Sequence, residues 1–213
     1  MEPEMFPQNK IHRVYGLDSL VKKTSDRLKV EEIYLDGKLK KAEDVDEEEK
    51  SYGIFMHSLV LSNYAEVMRV NNKRVSLVGD EQEKAIFYYT EQKGFDKSLI
   101  ESIAPKVEEL TFEYDDSIKV STHLINEKMR IVSKGTPEEL LKRCSHMLLD
   151  SKFVKVTKKL YKEINRVLND MINRCSIVYA LAIKDMYKVS RGVNIDAYVN
   201  GMTLVALIGM CCE

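Results

Sequence analysis

Apolar and polar residues alternate from Leu28 to Leu35, break at Asp36-Gly37 and resume from Lys38 to Ala42, the pattern of two strands joined by a two-residue hairpin turn. Ile54, Phe55, Leu59, Leu61 and Val67 give the stretch from about Glu48 to Val67 a broad apolar face. That spacing predicts a helix packed on a sheet, carrying His57 as a structural residue. A turn at Asn71-Asn72-Lys73 leads into a strand from Arg74 to Val78. Asp80 is then placed to cap a helix, Glu83 to close the capping box, and Gly94 to end it. Asp96 to Ala104 is a short helix stopped by Pro105. Glu108 to Tyr114 and Ile118 to Ile125 read as strands around the acidic turn Asp115-Asp116-Ser117, and Met129 to Ser133 as another. After His146 to Leu149, a short strand, Asp150-Ser151 turns the chain. Thr157 to Arg174 carries a helical stripe of Leu160, Ile164, Val167, Leu168, Met171 and Ile172, and Ser176 to Ile183 is a buried-type strand. Ahead of all this, Pro3 and Pro7 break any early helix, and Ile11 to Lys23 is a short amphipathic segment.

The chemistry concentrates where the strand ending in Lys134-Gly135 meets a helix. Thr136 can cap that helix, Pro137 suits its first position, and Glu139 completes a Thr-x-x-Glu box. A terminal lysine, a glycine that lets a partner approach the backbone, and free helix N–H groups can receive an anionic or polar ligand. The same spacing also serves as a purely structural corner. Glu83 is a capping residue on local grounds, and Phe112, a lone phenylalanine in a strand, is a core residue on local grounds.

Composition narrows the classes. The chain has 213 residues, 44% of them hydrophobic, enough for one large domain with a filled core. Lys and Arg number 33 against 34 Asp and Glu, so no general nucleic-acid or anionic-membrane surface is expected. No run reaches the roughly 20 apolar residues of a membrane span, and Met1-Glu2-Pro3-Glu4-Met5 lacks a signal-peptide pattern, which leads us to expect a soluble, cytosolic chain. The four cysteines show no C-x-x-C spacing and read as reduced thiols: Cys144 and Cys175 packed at helix ends, Cys211-Cys212 open to adventitious oxidation. The acidic run from Glu43 to Glu49 reads as solvated surface and not as a metal site. Neither a Gly-rich Walker loop nor a nucleophile–His–Asp set is present.

Lys134 to Ser145, KGTPEELLKRCS, resembles the K-G-A-P-E-x-x-L-x-R-C segment of the nucleotide-binding domain of P-type cation-transporting ATPases, with Thr136 in place of the alanine. Gly79 to Ile86 is similar to that family's G-D-P-T-E-x-A-L, and Leu110-Thr111-Phe112-Glu113 to its I-P-F segment. Tyr179-Ala180-Leu181-Ala182 and Met202 to Met210 continue the match in order, so the resemblance covers most of the chain from about Leu28.

The resemblance implies an α/β (α+β type) fold, an antiparallel sheet flanked by helices. It implies an ATP-binding site in which Phe112 stacks on adenine, Glu83 accepts a hydrogen bond from the adenine amino group, and Lys134 with Gly135 lines the nucleotide. Lys119 would reach the phosphates in place of the lysine expected where Ser117 stands; a commonly basic position is Ile177, with Arg174 one turn early. Thr24-Ser25-Asp26 echoes the phosphoacceptor motif but runs directly into Arg27-Leu28, so Asp26 is not read as catalytic. On this reading residues 1–27 are an appendage, 28–198 the nucleotide-binding domain, and 199–213 a strand leading back toward a phosphorylation domain. The partners are ATP and the phosphorylation and membrane domains of a parent protein, at the cytoplasmic face of a membrane, with Mg²⁺ entering in the intact parent. The alternative reading is a non-catalytic interaction or regulatory module of the same fold.

Overall fold

The computed structural model describes residues 27–70, 73–110, 117–125, 127–186 and 198–212. The segment from Ile11 to Lys23, Asp26, the Asn71-Asn72 turn, Phe112 and Asp115-Asp116 lie outside them. The described residues form strands β1 (Leu28–Leu35), β2 (Lys38–Lys41), β3 (Glu66–Val70), β4 (Lys73–Val78), β5 (Lys106–Leu110), β6 (Ile118–Ile125), β7 (Lys128–Gly135), β8 (Cys144–Leu149), β9 (Lys152–Lys155), β10 (Ile177–Met186) and β11 (Met202–Cys212). The helices are α1 (Tyr52–Leu61), α2 (Glu81–Gln92), α3 (Lys97–Ile103), α4 (Pro137–Arg143) and α5 (Lys158–Arg174).

Nine strands make one sheet in the order β2-β1-β11-β10-β7-β6-β5, with β8 on β11 and β9 on β8; β3 and β4 pair separately. Every pairing in the large sheet is antiparallel except β8 with β11. The α+β architecture of helices on an antiparallel sheet is therefore present. Residues 199–213 contribute β11, which is paired along both edges by β1, β8 and β10, so this segment belongs to the middle of the sheet.

Strand alternation divides the core into two layers. Leu35, Val132, Leu181, Ile183 and Ile208 point to the face covered by α1, α2 and α3. Tyr34, Ile131, Ala180, Ala182 and Leu207 point to the other, against Leu140 of α4 and Ile164, Leu168 and Met171 of α5. A strand covered on both faces reads as a continuous apolar run, as Leu204–Ile208 does. The turns are built where expected: Asp36 and Gly37 take φ of 51° and 75°, and Asp150 and Ser151 of 49° and 62°, the primed geometry that fits hairpin twist.

Three expectations need correction. The helix placed from Glu48 to Val67 is α1 alone, Tyr52–Leu61, because Ser62 folds its hydroxyl back to the Leu59 carbonyl at 2.9 Å and Asn63 spends its amide on Glu83 O and Ala65 N–H. Val67 lies in β3 opposite Leu77. The acidic run is not surface throughout, since Glu49 is buried and ion-paired with Lys40. Ile172 of the α5 stripe is 39% exposed, off the buried line of Ile164, Val167, Leu168 and Met171.

Beneath α5, Gly209 of β11 is the one position in that strand where a side chain cannot fit: a β-carbon there would stand 2.5 Å from Cys175 Sγ and 3.1 Å from Met171 Cε. Gly209→Ala should cost about 1–3 kcal/mol in urea unfolding through overpacking. Adding Cys175→Ala should recover part of that loss, a coupling that a double-mutant cycle measures.

Candidate functional site

Asp80 accepts the backbone N–H of Glu83 at 2.8 Å, which caps α2 and fixes its first turn. Glu81 and Lys84 of that turn pair with each other in solvent, while Glu83 turns inward and is 3% exposed. The capping box is thus half formed, because the Glu83 carboxylate serves the sheet instead of the Asp80 N–H. Asn63 donates Nδ2–H to the Glu83 carbonyl at 2.8 Å, and Tyr64 N–H donates to Glu83 Oε2 at 2.9 Å.

Two lysines face this carboxylate from the sheet. Lys119 of β6 and Lys134 of β7 are direct cross-strand partners. Like charges directly opposite repel, and Glu83 answers both. Lys134 Nζ lies 2.8 Å from Oε1 and 2.7 Å from Oε2, with both side chains almost fully buried. Lys119 Nζ lies 3.5 Å from Oε1 and 4.0 Å from Asp80 Oδ2, and its side chain is 44% exposed. The cluster opens to solvent through Lys119 and Asp80. Aromatic rings frame it: the Tyr64 centroid is 4.9 Å from Lys119 Nζ, 5.1 Å from Lys106 Nζ and 6.0 Å from Lys134 Nζ, and the Tyr179 centroid is 5.8 Å from Lys134 Nζ.

Burial alone would push the Glu83 carboxyl up, but the Lys134 ammonium, its hydrogen bonds, the Tyr64 N–H and Lys119 together outweigh it and leave the carboxyl below its ordinary value. Burial lowers Lys134, with Glu83 opposing. Tyr179 is pushed up to about 12 by burial and then by Asp80 and Glu83.

The structure brings Glu83, Lys119 and Lys134 together. Gly135 sits beside them at the end of β7 for a reason the sequence hid: a β-carbon there would meet the Ser117 carbonyl oxygen at 2.3 Å and Ile118 Cα at 2.8 Å. Its bare face is filled by the neighbouring strand. Thr136 does not cap α4 with its side chain; its N–H donates to the Ser117 carbonyl at 2.9 Å, and α4 is only seven residues long. The Lys134 side chain at that corner turns to Glu83. Arg174 is engaged by Glu32 through two hydrogen bonds of 2.9 and 3.0 Å. Tyr64, Lys106 and Tyr179 were not singled out from sequence. Only the Asn-Tyr pair after an apolar run hinted at Tyr64, since asparagine at a helix end often arrests the chain with its own side chain.

Two clefts lie elsewhere. One of about 780 Å³ is bounded by Arg27, Lys41 and Tyr88, the other of about 530 Å³ by Ala65, Phe87 and Lys97; Glu83, Lys119 and Lys134 line neither.

Lys134→Met would strand a buried carboxylate and should cost about 3–5 kcal/mol in urea unfolding, whereas Glu83→Gln with Lys134→Met should cost less than the two single changes added. Because the folded Glu83 pKa is depressed, its contribution is fully present above the unfolded value of about 4.3 and is lost as pH falls through the lower folded value. The acid limb of the stability curve should be flatter in Glu83→Gln than in the wild type.

The family model described as P-type ATPase, cytoplasmic domain N, matches residues 52–211. The chain is 25% identical over 187 residues to calcium-transporting ATPase 1 of Bacillus cereus, covering 88% of this chain and 20% of that protein. It is 24% identical over 131 residues to calcium-transporting ATPase lmo0841 of Listeria monocytogenes, covering 62% and 14%. To cation-transporting ATPase pma1 of Synechocystis sp. it is 28% identical over 136 residues, covering 63% and 15%. The chain thus spans at most about a fifth of the length of these relatives. None of the helices among the described residues is long and apolar enough to cross a membrane. With the match running from α1 into β11, through the sheet that carries Lys119 and Lys134, the chain belongs to the family of P-type ATPase cytoplasmic N domains.

Proposed function

We propose that this chain is the ATP-binding domain of a cation-transporting P-type ATPase, holding ATP for phosphoryl transfer to an aspartate in another domain. The observation that carries the reading is the convergence of Glu83 with Lys119 and Lys134, 36 and 51 residues further along the chain, on one solvent-reaching cluster. A carboxylate that can accept from an adenine amino group, an exposed ammonium and aromatic faces are the donor set that an adenine nucleotide needs. In this reading Phe112 supplies the stacking face, Glu83 reads the amino edge, Lys119 reaches a phosphate, and Lys134 with Gly135 shapes the floor. Lys134 acts by holding the Glu83 carboxylate ionised and aimed.

The family also implies Mg²⁺. Among the described residues no three His, Cys, Asp or Glu side chains are grouped to hold a metal ion. The relatives' names speak of calcium and cation transport, and a cation pump is the parent we infer.

One observation favours the second reading, a non-catalytic module of the same fold: Lys134 is 3% exposed and fully engaged by Glu83, which leaves Lys119 as the ammonium of that pair open to a ligand. An amide-shift titration separates the two. We expect shifts around Glu83, Lys119 and Lys134 with a dissociation constant on the order of 1 mM, near ~4 kcal/mol. ATP, ADP and AMP should bind within roughly a few-fold of one another, and GTP more weakly, because it presents a carbonyl to Glu83. Phe112→Ala should lose most of the binding. A folded chain that shows no shifts at several millimolar ATP supports the module instead. In a second assay, the 213-residue polypeptide should form no acid-stable phosphoenzyme from labelled ATP, since transfer needs a positioned acceptor.

A further inference from the structure

Tyr64 sits where α1 ends, and its backbone is held from both sides. Its N–H is bound by Glu83, and Asn63 before it bonds both Ala65 N–H and the Glu83 carbonyl. Its hydroxyl points toward the sheet. It lies by Ser121 of β6, whose Oγ is 2.9 Å from His123 Nε2, while His123 Nδ1 is 3.1 Å from the Ala104 carbonyl. A carbonyl can only accept, so Nδ1 carries the proton and Ser121 donates to Nε2. The fully buried His123 is held neutral by desolvation, with the Leu61 carbonyl also beside its ring. The half-buried Tyr64 ring carries the ammonium groups of Lys119 and Lys106 against its face.

The charges around that ring cancel. Lys106 is matched by Glu109 at 3.0 Å, Lys134 by Glu83, and Lys119 by Glu83 and Asp80. A balanced cluster on an aromatic face offers little net field to a polyphosphate and a good surface to a flat, neutral, polar ring. Resting on the nucleotide-binding reading above, we propose that Tyr64 is a base-contacting residue of the site and that Lys119 exchanges partners on binding. In the free chain the Lys119 ammonium lies against the Tyr64 ring. When a nucleotide enters, its base takes that ring face and the exposed, flexible lysine swings to the phosphates.

The exchange has a signature that a structural role for Tyr64 does not produce. Amide-shift titrations with ATP and adenosine are run on the wild type, Tyr64→Leu, Tyr64→Phe and Lys119→Met, with the β6 and β7 amides reporting an intact fold. Tyr64→Leu should weaken both ligands by ~5-fold or more, as loss of a stacking face does, and Tyr64→Phe by less than ~2-fold. Lys119→Met should weaken ATP by roughly 3-fold, as loss of one exposed ammonium–phosphate contact does, yet leave adenosine unchanged or tighter, since nothing then competes for the ring. Should the leucine variant not fold, the opposite response of the two ligands to Lys119→Met still decides. Adenosine binding untouched by Tyr64→Leu, or weakened as much as ATP by Lys119→Met, overturns the proposal while leaving ATP binding by the wild type in place. A wild-type chain that shifts with neither ligand overturns the proposal and the functional reading together.

Discussion

The ion pair between Lys134 and Glu83 joins the helical layer to the sheet, and much of the site follows from it. Two lysines stand side by side on β6 and β7, an arrangement that works against the strands unless an anion lies between them. Glu83 is that anion, and it arrives only because α2 begins at Asp80 and lies flat across β1. The dependence runs both ways. Without Lys134, Glu83 would be a lone carboxylate in the core, and α2 would have reason to lift away. The same contact ties down Tyr64 through its N–H, so the loop after α1 takes its place from a charge made in the sheet.

Glu83 therefore holds three kinds of partner at once: an ammonium with both oxygens, a backbone N–H, and a second ammonium at longer range. For an adenine amino group to bond it as well, a donor must share an oxygen or Lys119 must move. A site in which the key carboxylate is already satisfied binds weakly and selectively, because only a ligand that restores the lost contacts gains from entering.

Local period and turn chemistry made much of the fold legible. The Asp36-Gly37 hairpin, the capped and strongly one-sided α5, and the Asp80 cap are each written in one short local stretch, and each is where the pattern put it. Errors arose where tertiary contacts decided. Apolar residues alone would extend α1, but Ser62 and Asn63 end it by bonding to the backbone. Thr136 has the sequence of a cap yet gives its N–H to Ser117, since β6 passes directly over Gly135. Motif resemblance named Glu83 and Lys134 separately. That they meet could not be read from spacing, since it depends on α2 crossing the sheet, and Tyr64 was invisible because its partners come from β5, β6 and β7.

The pairing of Leu28 with Cys212 has a mechanical consequence. The first residue of β1 and the last residue of β11 lie side by side at one edge of an antiparallel pair, so tension applied to both would act across the hydrogen bonds one after another, as a zipper opens. The bulge between Val30 and Glu32 is the first irregularity such a peel would reach. Tension shared along the strand axes would instead load many bonds together. The domain is thus softest to forces that part the start of β1 from the end of β11, and such forces would open this pair before reaching the strands that carry Lys119 and Lys134.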